Sequence, residues 1–67
     1  MVTFKQNFDI QIQDENKYQS GIFTFLKGKS YDSEYRKVND CIYLFIYSID
    51  RKVYIMFNKI DEERFLK

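Results

Sequence analysis

The chain has 67 residues, enough for one domain, and 11 basic against 10 acidic side chains leave it at a net charge of +1. That balance excludes both the charge footprint of a strongly basic nucleic-acid binder and that of an acidic nucleic-acid mimic. One cysteine and no histidine exclude an internal disulfide, a thiolate or imidazole metal cage, and every catalytic constellation that needs imidazole.

The first segment alternates. Val2, Phe4, Phe8, Ile10 and Ile12 share one parity, while Thr3, Lys5, Asn7, Asp9, Gln11 and Gln13 take the other, and only Gln6 breaks the pattern. This pattern predicts a half-buried strand with one wet face. Asp14 to Lys17 supply a polar turn, so a second strand from about Tyr18 to Lys27 closes a hairpin. In it Ile22, Thr24 and Leu26 oppose Phe23 and Phe25, and Gly21 marks a bulge or a close backbone approach.

Residues 28–40 form the longest polar stretch. Tyr31, Tyr35 and Val38 follow helical spacing and suit a turn or two of helix capped by Ser30 or Asp32. An irregular loop or a continued strand fits the same residues. The expectation is an irregular or short helical connector.

Cys41 to Tyr47 carries no charge, proline or glycine. With Val53 to Ile60 it predicts a second hairpin, turned by Ile49 to Lys52, where Arg51 and Lys52 read as turn chemistry. Pairing Ser48 with Val53 sets Ile46 opposite Ile55 and Leu44 opposite Phe57, an aliphatic face. The same register sets Tyr47 opposite Tyr54 and Phe45 opposite Met56, an aromatic face. The aliphatic side is the expected core, shared with the first hairpin. The aromatic side needs the short helix or a partner to cover it. Left uncovered, such a strand is an aggregation hazard, so Cys41 to Tyr47 is expected in a sheet interior, with Cys41 a buried small hydrophobe. Asp61 to Lys67 runs from acidic to basic and suits a short helix and its dipole. Too short to stand alone, that helix must dock Phe65 and Leu66. The resulting fold is mainly β (β or α+β): residues 1–67 as one small domain, two antiparallel hairpins forming a four-stranded sheet, and a C-terminal helix.

Phe8-Asp9-Ile10-Gln11-Ile12, a polar turn, and Ile22-Phe23-Thr24-Phe25-Leu26-Lys27 resemble the central hairpin of PD-(D/E)XK nucleases. Asp40 to Tyr43 and Arg51 to Ile55 resemble later strands of that family. The resemblance implies a strand-borne Asp9 and a Lys27 that would help to bind metal and activate water. Phe25 stands where the family carries Glu or Gln, and the acidic N-terminal helix is missing. The resemblance therefore implies a degenerate, catalytically dead relative. Gly28-Lys29-Ser30 lacks the spacer and first glycine of a phosphate loop.

A domain of this size buries only about 60% of its unfolded surface, so large side chains or self-association must compensate. The aromatic content is 19%. The first functional reading is a non-enzymatic protein-binding module without metal or cofactor, self-associating as a homodimer through Tyr43, Phe45, Tyr47, Tyr54 and Met56. Tyrosine suits such a surface because it combines large area with a polar tip. Size, an initial Met and a composition rich in Lys, Ile, Tyr and Asn suggest a complete small reading frame of a phage or mobile element. By analogy, that suggests an inhibitor of a host or defence protein, as anti-CRISPR proteins are. The second reading is a small nucleic-acid-binding β-protein using Lys27, Lys29, Tyr31, Tyr35, Arg36 and Lys37. A metal-dependent nuclease is the third. No signal segment and no run near the roughly 20 apolar residues of a membrane span lead to a cytoplasmic expectation.

Overall fold

The computed structural model describes residues 1–13 and 20–67, so the expected Asp14–Lys17 turn and the strand start at Tyr18 lie outside the described residues. In chain order the elements are β1 (Val2–Thr3), β2 (Phe8–Gln13), β3 (Ser20–Phe25), β4 (Ser30–Tyr31), β5 (Ser33–Val38), β6 (Cys41–Tyr47), β7 (Tyr54–Phe57) and α1 (Lys59–Phe65). The chain is mainly β, as its alternation predicts. β2 and β3 form one antiparallel hairpin, β1 pairs with β4, and β5, β6 and β7 form an antiparallel sheet with β6 in the middle. The expected single four-stranded sheet does not form. The two hairpins belong to separate sheets and meet through their apolar faces.

The connector explains the difference. Residues 33–38 pair with β6 from Ser33↔Ile46 to Val38↔Cys41 and occupy the edge that the first hairpin would have needed. Neither an irregular nor a helical connector is seen there. Asn39 (φ 50°) and Asp40 (φ 66°) both take the left-handed conformation, which a two-residue hairpin turn requires and which Asn and Asp tolerate better than most residues. That local chemistry outweighs the helical spacing of Tyr31, Tyr35 and Val38.

The long N-terminal strand is also divided. The chain bends at Lys5–Gln6, where Gln6 interrupts the alternation. The bend lets Phe4 sit fully buried at the centre of the molecule. Its ring lies 5.2–6.0 Å from those of Phe8, Phe25, Tyr31 and Phe57. Backbone bonds tie the same segment to both neighbours: Lys5 N–H donates to Phe65 C=O, Lys67 N–H to Thr3 C=O, and Gly28 N–H to Phe4 C=O.

In the first hairpin, Phe8↔Phe25 and Ile10↔Phe23 face inward, while Asp9↔Thr24 and Gln11↔Ile22 face out. Phe25, Phe4 and Tyr31 pack with Leu44, Ile46, Phe57 and Leu66 as one core. The β6–β7 register is the expected one throughout: Leu44↔Phe57, Phe45↔Met56, Ile46↔Ile55 and Tyr47↔Tyr54. Its aliphatic side is the core side. Cys41 is exposed at the start of β6, because its parity turns it to the side of Tyr43 and Phe45, away from the core, and the Asn39–Asp40 turn leaves it at the sheet end.

α1 begins two residues earlier than expected. Asn58 caps it by accepting from Asp61 N–H at 2.8 Å, and the Asp61 carboxylate accepts from Asn58 N–H at 3.3 Å, a capping box. The helix does dock its two apolar residues. Phe65 lies 4.9 Å from Phe8 and 5.6 Å from Phe57, ring to ring, and Leu66 is buried. Both contacts are on the core side, so α1 does not cover the aromatic face.

Candidate protein-binding face

The second face of β5–β6–β7 is assembled by parity. Glu34 and Arg36 from β5, Tyr43, Phe45 and Tyr47 from β6, and Tyr54 and Met56 from β7 all point away from Leu44 and Ile46. Among the described residues no strand or helix packs on this side. The five residues expected from sequence as a binding face are therefore brought together on one surface.

Its own side chains organise it. Tyr54 stacks on Phe45 with ring centroids 5.6 Å apart and planes inclined at 17°. The Arg36 guanidinium lies 5.2 Å from the Phe45 ring centre, and the Arg51 guanidinium 4.3 Å from that of Tyr47. Cations over ring faces are attracted by the ring quadrupole, by about 0.5–1 kcal/mol at exposed sites. Phe45 is thereby only 7% exposed, while Tyr54 is 55% and Met56 41% exposed. Phe45 is the covered floor. Tyr54 and Met56 form the open part.

Acidic side chains fix the rim. The Tyr47 hydroxyl donates to Glu34 at 2.6 Å. That hydrogen bond raises the pKa of Tyr47 above the usual phenol value, against a smaller opposing effect from Arg36. Asp32 holds Arg51 at 3.4 Å. The Ser48–Val53 loop delivers Arg51 to this position. Ser48, buried, donates its hydroxyl to Asp50 at 2.6 Å and accepts from Val53 N–H at 3.1 Å, and Lys52 N–H donates to Asp50 at 3.0 Å. These donors hold the Asp50 carboxyl below its ordinary pKa, the Ser48 bond foremost. Arg51 then adopts a left-handed φ of 59° at the tip.

The basic group considered for nucleic acid is scattered. Tyr31 is buried in the core, its hydroxyl accepting from Leu26 N–H at 2.8 Å. Tyr35 and Lys37 lie on the core side of β5, beyond the core itself, and Arg36 on the opposite face. Tyr35 donates to Glu62 at 2.7 Å, a bond that raises its pKa, and Lys37 pairs with Asp40 at 3.8 Å. Lys27 and Lys29 belong to the turn between β3 and β4. Arg36 is the one member that joins the aromatic face.

Asp9 faces solvent and accepts from the Thr24 hydroxyl at 2.6 Å, whereas Phe25 lies on the inner face of the same hairpin, fully buried. Asp9 and position 25 thus point to opposite sides of the hairpin. Among the described residues no cluster of three or more acidic or cysteine side chains is placed to hold a metal ion. No helix among them is long and apolar enough to cross a membrane.

Sequence reasoning missed Glu34, Asp32 and Arg51 as parts of the face. The usable signal was the Asn39-Asp40 pair: as a hairpin turn it makes residues 33–38 a strand and assigns each side chain a face. Neither a family model, nor a curated protein, nor a solved structure matches the chain.

Proposed function

We propose that the chain is a non-catalytic protein-binding module that engages its partner through the aromatic face of β5–β6–β7. The observation that carries this reading is the contrast between the two sides of β6. Leu44 and Ile46 are sealed by the first hairpin and α1, while Tyr43, Phe45, Tyr47, Tyr54 and Met56 have no covering element among the described residues. Tyrosine and arginine are enriched among residues that dominate interface energetics, because they bury large area and keep a polar group for the partner. The partner class suggested by chain size and composition is a host or defence protein inhibited by a phage or mobile-element product.

A capture experiment tests the reading. Immobilised wild-type protein is expected to retain a specific protein from an extract of its native host. Tyr43→Lys, which changes the face away from any sheet edge, is expected to lose at least tenfold of that capture with unchanged circular dichroism. A Lys29→Ala/Lys37→Ala variant is expected to keep it. Full capture by folded Tyr43→Lys would refute the proposal. Salt-sensitive capture of nucleic acid, lost with the lysine variant, would favour the nucleic-acid reading instead.

A further inference from the structure

The outer edge of β7 offers a second, independent interaction, one made by backbone. Ser48 N–H donates to Val53 C=O at 2.8 Å, which sets the phase of the β6–β7 ladder. Ile46↔Ile55 and Leu44↔Phe57 are then the hydrogen-bonded pairs, and Tyr54 and Met56 turn their N–H and C=O groups outward. Among the described residues these groups meet no partner, since β7 pairs only with β6.

Edge strands are usually blunted by charge, proline or a bulge. The opposite edge, β5, carries Glu34, Arg36 and Lys37. β7 reads Tyr-Ile-Met-Phe and has none of these devices. We propose that β7 pairs antiparallel with β7 of a second copy of this chain, across a two-fold axis at Ile55. In that register Tyr54 lies opposite Met56 of the second copy, so residues with outward groups meet and exchange both backbone bonds, and the two-fold axis repeats the exchange. A one-residue slip would oppose outward groups to inward ones.

Charge favours the same partner. The register sets Lys52 opposite Asn58 of the second copy, where the Asp61 carboxylate sits through its capping bond. Basic Arg51 and Lys52 precede the strand. After it, the Asp61 carboxylate lies beside the strand end through its bond to Asn58 N–H, while Glu62 turns toward Tyr35 of β5. Antiparallel pairing therefore brings Lys52 against the Asp61 carboxylate twice. The product is one continuous six-stranded sheet whose two aromatic faces lie on the same side. This dimer rests on the β7 backbone and not on the reading of the aromatic face, which one copy presents as well as two.

Sedimentation of the full chain over a concentration series tests it. A short edge makes a small interface, so the monomer–dimer midpoint is expected at about 100 µM. Met56→Pro removes an outward N–H and no β6–β7 bond, a position where an edge strand tolerates proline. This variant is expected to stay monomeric at tenfold higher concentration with an unchanged circular-dichroism spectrum. Lys52→Glu, in an exposed loop, is expected to raise the dissociation constant about tenfold at low salt. A wild-type protein that is monomeric at 1 mM overturns the proposal, as does dimerisation unaffected by a folded Met56→Pro. If Met56→Pro unfolds, an unchanged dissociation constant in Lys52→Glu overturns it.

Discussion

Tyr31 shows how much one side chain can do in a chain this short. Its ring packs 5.8 Å from Phe4 and 4.9 Å from Phe25, both edge to face, and its hydroxyl accepts the Leu26 N–H where β3 ends. The bond replaces a ladder partner that the turn takes away. Tyr31→Phe keeps the ring and strands a partly buried donor, which costs about 1–3 kcal/mol. For a domain of this size that is a fall of roughly 4–8 °C in Tm per kcal/mol, readable by thermal unfolding. An unchanged Tm would mean that water serves that N–H equally well. From sequence, Tyr31 fits a nucleic-acid stacking platform as readily as a core, because its neighbours Lys29 and Asp32 are charged. Only long-range pairing with Val2 in β1 draws it inward. Cys41 shows the reverse case: it opens an apolar run, yet its place at a strand end on the uncovered face leaves it exposed.

At the scale of elements, α1 is a helix of seven residues, too short to persist by propensity. Its capping box and the docking of Phe65 and Leu66 stabilise it together. Asn58→Ala removes the side chain that accepts from Asp61 N–H and is expected to cost about 1 kcal/mol. Because Phe65 C=O also accepts from Lys5 N–H, amide exchange at Lys5 should quicken along with that of the helix. Exchange faster in the helix alone would show that the N-terminal tie holds without it. The helix and the second hairpin were legible because they are local: a charge gradient, a tight turn, and a register set by Ser48 and Val53. β5 was not. Its residues satisfy two periodicities at once, and the deciding signal lay just outside the segment, in two residues able to take positive φ.

The whole molecule answers the problem of a small core with aromatic rings. Phe4, Phe8, Phe25, Tyr31, Phe57 and Phe65 form a chain of stacked, tilted and edge-to-face contacts that joins all three sheets and the helix. Such pairs contribute about 0.5–1.5 kcal/mol each beyond the area they bury. The two-faced character of β6 was legible from alternation, and so was the composition of each face. How the aromatic side is served was not legible, because it depends on Arg36 and Arg51 reaching it from another strand and a loop. The division of β6 into a sealed side and a working side is the central claim, and chemical unfolding of two lysine variants tests it most directly. Tyr54→Lys should lower stability by only about 1 kcal/mol, the value of its stack on Phe45. Ile46→Lys, one strand inward and fully buried, should leave no folded protein, since an unpaired charge cannot stay in that core. Equal, severe destabilisation by both would contradict the account, because Tyr54 would then belong to a core and not to a surface.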